Sequence, residues 1–272
     1  MSSAVAISAD EQQEEICVDE FAHVDAEKDT DGLGVTFYAS TSRVTQLTIT
    51  LECADLENLT PTSPMPCTFL LKHPATHEPF LSFRQTAPGR WHYGKWKSHY
   101  ERGLVSDRPT VDYIYSLPYS STEKHKIGQT YFGEFSHQQG THSQYAVDFD
   151  MPVGTSILAA RPGTVMAVRG DSSQGGPDKR YERCGNYVIV DHGDGTYAEY
   201  WHLRQAGVLV RLGQPVQVGT PIGLSGETGF ARGPHLHFEV FRVVDGRSNA
   251  SLPFKMRTEE GVREKLEKGN FY

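Results

Sequence analysis

The stretch GNYVIVDHGDGTYAEYWHL, residues 185–203, reads as an apolar strand, a tight turn and a second strand returning beside the first. Asp194-Gly195 supplies the turn, because a short hairpin connection needs backbone conformations that Asp and Gly adopt at little cost. The same texture continues on both sides as short apolar runs broken by glycine: TSILAA at 155–160, GTVMAV at 163–168, TPIGLSG at 220–226 and HLHFEVF at 235–241. With 26 Gly, 15 Pro and few long amphipathic runs in 272 residues, the expected class is all-β, short strands joined by many turns.

Toward the N-terminus, the segment SSTEKHKIGQ at 120–129 reads as a linker, so residues 118–272 are expected to form one compact antiparallel β domain. Residues 33–117 are expected to form a smaller β-sandwich-like accessory domain. From Val35 the pattern takes period two, with Leu47, Ile49, Leu51 and Cys53 on one face of a half-buried strand. TFLLKH, FLSFRQ and VDYIYSLPY follow as further strands. Trp91, Tyr93 and Trp96 suit core packing or, alternatively, a sugar-binding surface. Residues 1–32, with EQQEEICVDEF and DAEKDTDG, bury too little apolar surface to order themselves and are expected to be a disordered acidic tail. The segment EEGVREKLEK at 259–268 reads as a short surface helix.

A net charge of −8 without a stripe of Lys and Arg argues against a nucleic-acid partner. No run of about 18 apolar residues exists to suggest a transmembrane helix. The start, MSSAVAISAD, lacks the basic and apolar regions of a readable signal peptide. Cys53 and Cys67 could bridge in an oxidising compartment or remain two core thiols.

The chemistry gathers late in the chain. In an extended PHLHFEVF, His235 and His237 project from the same face, and Phe238 and Val240 from the other. Two imidazoles on one face can hold a metal, or one can hold it while the other moves a proton. HxH alone is weak evidence. The glycine-rich run before the pair, His202 at the end of the hairpin and Asp148 in SQYAVDF complete an inventory that suits a catalytic zinc ion, which commonly takes two His and one carboxylate.

From about Lys126 to Val244 the sequence resembles the M23 metallopeptidases, the lysostaphin and LytM type of peptidoglycan endopeptidase. VDFDMPVGTSILAARPGTVMAV is similar to the family's Asp-bearing segment, GNYVIVDHGDGTYAEYWHL to its hairpin ending in Tyr-x-His-Leu, and GPHLHFEV to its terminal signature. The resemblance implies an antiparallel β fold with a groove between loops, binding one zinc ion per chain. It makes Asp148 and His237 zinc ligands, and His202 and His235 catalytic histidines that move a proton or steady an oxyanion. The remaining ligand departs from the usual His-x-Gly-x-Asp spacing: His142 lies six residues before Asp148 and His137 eleven. Gly133-Glu134-Phe135-Ser136-His137 fits a branch with longer loops, so His137 is favoured, with His142 the alternative.

The implied activity is hydrolysis of peptide cross-links in bacterial peptidoglycan, outside the cytoplasm. Two other readings remain: a catalytically inactive activator with the same fold, and a wall-binding protein that works through its first domain. Asp150 suits an exposed turn or a place behind the ligands, His192 a surface position, and Asn186 the anchoring of a neighbouring loop.

Overall fold

In the computed structural model, which describes residues 17, 19–107, 109 and 112–272, the hairpin of residues 185–203 lies at the centre of the main sheet. MSSAVAISAD and the rest of the first 16 residues lie outside the described residues.

The first unit holds β1 (Ala22–Lys28), β2 (Gly34–Thr41), β3 (Leu47–Cys53), β4 (Leu59–Pro61), β5 (Cys67–Leu71), β6 (Glu78–Gln85) and β7 (Trp96–Arg102). They form two antiparallel sheets, β1-β2-β6-β4 and β5-β3-β7. Alternation along each strand sends Val35, Phe37, Leu47, Ile49, Leu51, Leu81 and Phe83 into one core. Strand β3 is buried on both faces rather than half-buried. The threonines between its apolar residues are satisfied internally: Thr48 Oγ1 donates to the Gly103 carbonyl and Thr50 Oγ1 accepts from Gly246 N–H. Phe37 meets Tyr93 and Trp96 edge-on, so these two aromatics pack against the core.

The second unit holds β8 (Ile114–Ser116), β9 (Lys126–Gln129), β10 (Val147–Asp150), β11 (Ser156–Leu158), β12 (Gly163–Arg169), β13 (Gly175–Gly176), β14 (Asn186–Asp191) and β15 (Tyr197–Val208). It continues with β16 (Pro215–Val216), β17 (Pro221–Ser225), β18 (Gly229–Phe230), β19 (His235–Asp245), β20 (Ser248–Ser251), β21 (Lys255–Thr258) and β22 (Gly261–Arg263). The main sheet runs β16-β12-β14-β15-β19-β10-β9, with β17 against β15 and β20 against β19.

The two faces of this sheet have different neighbours. One face sends Val188, Val190, Ala198, Tyr200, Leu236, Phe238 and Val240 into a core closed by Tyr115, Tyr119, Phe254, Met256 and Tyr272. The other face contributes Tyr187, Ile189, Tyr197, Phe241 and Val243 to the core of the first unit. Beyond that contact the same face carries Glu199, Trp201, His235, His237 and Glu239, placed there by alternation along β15 and β19.

Two sequence expectations are corrected, and of the two readings of Cys53 and Cys67 the pair of free thiols holds. Within the expected tail, residues 22–28 form β1, which pairs along its whole length with β2 and buries Val24. Backbone pairing and ion pairing do what apolar burial could not: Arg102 pairs with Asp19, and Ser42 Oγ donates to the Glu20 carbonyl. Cys17 is bonded to Cys184, while Cys53 and Cys67 are free thiols. The segment 259–268 holds the turn and second strand of the β21–β22 hairpin, not a helix. Gly261 sits at φ 110°, and Leu266 is the one side chain of the segment that is buried, too few for an amphipathic helix.

Candidate metal centre and cleft

Strand pairing sets the centre. In the β10–β19 register Asp148 lies directly opposite His237, and in the β15–β19 register Trp201 does so from the other side. His137 arrives from the loop between β9 and β10, which Gln129 folds back on itself. The Gln129 Oε1 accepts from Phe135 and Ser136 N–H, and its Nε2 donates 2.9 Å to Ser136 Oγ and 2.9 Å to Asp148 Oδ2. A side chain on Gly133 would collide with Gln129, at 2.4 Å from its Cγ, so this turn is open only to glycine.

Three donor atoms then converge. His237 Nδ1 lies 3.0 Å from Asp148 Oδ1, His137 Nε2 lies 3.3 Å from that oxygen, and the two ring nitrogens are 3.3 Å apart. All three side chains are buried, His137 completely. His137 Nδ1–H donates to the Thr130 carbonyl at 3.3 Å, which fixes Nε2 as the free nitrogen. Two imidazole nitrogens and a carboxylate oxygen aimed at one point, out of water, suit a divalent cation of borderline softness. Burial alone would raise the Asp148 carboxyl, but the surrounding His137, His235 and His237 overcome it and hold that carboxyl well below the usual range. For His237, burial is likewise outweighed by Asp148 and Glu239, which push it up to about 10.

His202 and His235 stand beside this group, their ring centroids 4.4 Å apart. His202 Nδ1–H donates to the Thr228 carbonyl at 2.7 Å and His235 Nδ1–H to the Gly233 carbonyl at 2.9 Å, so each keeps Nε2 free. Burial, then the nearby His235 and His237, holds His202 well below its ordinary range and so neutral. The His202 backbone lies in the left-handed region at φ 66°, where the β15–β17 pairing breaks register after Leu203. A non-glycine residue pays for that conformation, and the break turns the ring toward the other histidines. Asn186 ties the neighbouring loop: its Nδ2 donates to the Ser172 and Leu203 carbonyls and its Oδ1 accepts from Ser172 N–H.

Asp148, His202, His235 and His237 line one open cleft of about 460 Å³, whose other walls include Lys126, Phe135, Phe230, Arg232 and Lys268, while His137 lies fully buried behind it. Arg232 lies 3.6 Å over the Phe135 ring, and Phe135 packs on Phe230 at 5.0 Å, joining the His137 loop to the loop before His235.

His142 is exposed, and it is not among the residues that converge on Asp148. Asp150 is exposed at the cleft edge, 3.9 Å from Lys126. His192 is half-buried: its Nδ1–H donates 2.8 Å to the Pro162 carbonyl, its ring meets Tyr115 edge-on, and burial holds it down at about 4. Sequence reasoning missed Gln129, Glu199 and Glu239. The two glutamates, each a carboxylate inside a strand of apolar and aromatic residues, carried a signal.

Residues 142–250 match peptidase family M23, a span that includes Asp148, His202, His235 and His237 and begins after His137. The chain is 40% identical over 100 residues to the peptidoglycan DD-endopeptidase ShyA of Vibrio cholerae, covering 37% of this chain and 20% of that protein. To lysostaphin of Staphylococcus simulans it is 35% identical over 114 residues, covering 40% of this chain and 21% of that protein. The chain thus matches about a fifth of the length of these two relatives. A solved structure of a zinc-containing peptidase from Vibrio cholerae shares 16% identity at a TM-score of 0.37, covering 84% of this chain and 83% of that chain.

Proposed function

We propose, from a chain that carries a peptidase family M23 domain over residues 142–250, that the protein is a zinc-dependent endopeptidase cleaving the peptide cross-links of bacterial peptidoglycan. The carrying observation is the convergence of His137 Nε2, Asp148 Oδ1 and His237 Nδ1 beside the His202–His235 pair, at a cleft that Asp148, His237, His202 and His235 line. In this reading His137, Asp148 and His237 hold the ion. Zinc, when bound there, supplies a Lewis acid and lowers the pKa of a water at neutral pH.

The chain's own residues do the rest. Asp148 is kept ionised by the imidazoles around it and oriented by Gln129, so the donor set is formed before substrate arrives. His202, neutral because it is buried beside other imidazoles, offers Nε2 as a proton acceptor. His235, with Nδ1–H tied to the Gly233 carbonyl, presents Nε2 to the same space; once it carries a proton taken from the attacking water, it gives that proton to the leaving amine or steadies the oxyanion as an N–H donor. Phe135, Phe230 and the Lys126, Arg232 and Lys268 cations form walls suited to an extended peptide.

We further assign β1–β7, residues 22–102, to an accessory unit and residues 114–272 to the catalytic one, which moves β1 and β8 across the boundaries expected from sequence, because β1 pairs with β2 and β8 with β21. The Cys17–Cys184 bond supports a site of action outside the cytoplasm, where disulfides persist. No helix among the described residues is long and apolar enough to cross a membrane.

Purified walls with direct and with glycine-bridged cross-links are the test substrates, digested with and without a chelator. New amino ends identified by mass spectrometry, absent with chelator, are the expected result. No released ends from any wall would reject the reading.

A further inference from the structure

Behind the donor set, away from the cleft, lies a second group of buried polar atoms that the proposed chemistry does not use. Glu199 and Glu239 are direct cross-strand neighbours on the face of the sheet that carries the histidines. Glu239 is 1% exposed, and among the described residues neither of its carboxylate oxygens has a hydrogen-bond partner. His237 Nε2 lies 3.6 Å from Glu239 Oε2 and 4.0 Å from Glu199 Oε1, and the indole of Trp201 faces the Glu199 side of the pair.

We propose that Glu239, with Glu199 opposite it, is a positioning residue of the metal centre: its carboxylate takes the Nε2–H of His237 and leaves Nδ1 free toward His137 and Asp148. The inference rests on the metal-binding reading above. Three observations carry it. A buried carboxylate without a donor is costly, and the imidazole N–H is the group placed to relieve it. His237 Nδ1 is already committed to the point where Asp148 Oδ1 and His137 Nε2 converge, so the ring proton belongs on Nε2. Glu239 lies two residues along the same strand, so one rigid element sets both the ligand and its acceptor. A carboxylate behind a ligating histidine fixes its tautomer and ring angle and makes the ligating nitrogen a stronger donor.

The test uses the full chain with Zn²⁺ as probe, measuring affinity by competition with a chromophoric chelator and bound metal by elemental analysis. Glu239→Leu should weaken Zn²⁺ binding by about 10–100-fold, the scale on which such supporting groups act. Its metal-free form should keep the parent's strand content by circular dichroism, so that a loss of affinity is not a loss of fold. Glu239→Gln, whose amide oxygen still accepts from Nε2–H, should recover most of the affinity. Long-range ¹H–¹⁵N spectra of the zinc form should place the His237 proton on Nε2.

Unchanged affinity in Glu239→Leu would overturn the proposal, as would equal losses in Leu and Gln variants, or a proton on Nδ1. A second zinc equivalent in the parent that Glu239→Leu lacks would overturn it as well, by making the pair a cation site. A parent chain that binds no zinc would reject the metalloenzyme reading itself. Tight zinc binding in the parent with no response in Glu239→Leu would reject only this inference.

Discussion

The two ends of one sheet face offer a controlled comparison. Along residues 197–201 of β15 and along β19 the side chains alternate without interruption, yet Tyr197, Phe241 and Val243 at one end are dry core, while His235 and His237 at the other line a cleft. Between them sit Glu199 and Glu239. Backbone geometry is the same throughout, so the difference comes from what covers the face. The sandwich of the first unit seals one end, and loops that leave a groove flank the other. A strand therefore places side chains on a face, but the cover decides whether they become core or site.

The largest expected effect is at the open end. His237→Ala should abolish zinc binding and lower turnover on wall peptide by at least about a thousandfold, the scale of losing a main source of transition-state stabilisation. Loss of zinc and turnover should come with retained strand content by circular dichroism. At the sealed end the pattern should reverse. Phe241→Ala, which empties a fully buried position, should cost about 3–5 kcal/mol in denaturant unfolding. Its zinc affinity should stay within about twofold, since a dry-end cavity lies outside the donor set and surface or distant changes couple weakly.

Two histidines with opposite shifts sharpen the comparison further. His237 is pushed up by carboxylates, whereas His192 is pushed down to about 4 by burial and the nearby Arg161 cation, against the Pro162 carbonyl. The depressed value makes His192 a source of acid sensitivity. Above pH 6.5 it is neutral in both states; between 6.5 and 4 the unfolded chain takes up a proton that the folded chain refuses. That window should cost about 3 kcal/mol of stability, and His192→Asn should remove that part of the slope. Denaturant titrations of both proteins at pH 7 and pH 4.5 measure it, and parallel slopes would show that His192 is not the source.

Sequence alone carried the local features. Asp194-Gly195 marks the hairpin because turn chemistry is local, and His235 and His237 share a face because strand periodicity is local. It failed where partners are remote. Cys17 and Cys184 are 167 residues apart, a pairing that spacing cannot suggest. β1 is acidic and looks disordered until the edge of β2 is there to accept its backbone. Gln129 has no motif of its own, since its role depends on a loop folding back over it. The choice between His137 and His142 was likewise open, because an irregular loop, not a strand, brings the histidine to Asp148.

That choice is also the most direct test of the metal centre. Wild type, His137→Ala and His142→Ala would be dialysed against micromolar zinc and analysed for bound metal. One zinc per chain in wild type and His142→Ala, with loss in His137→Ala, is the expected result. Retained zinc in His137→Ala, with loss in His142→Ala, would contradict the centre described above.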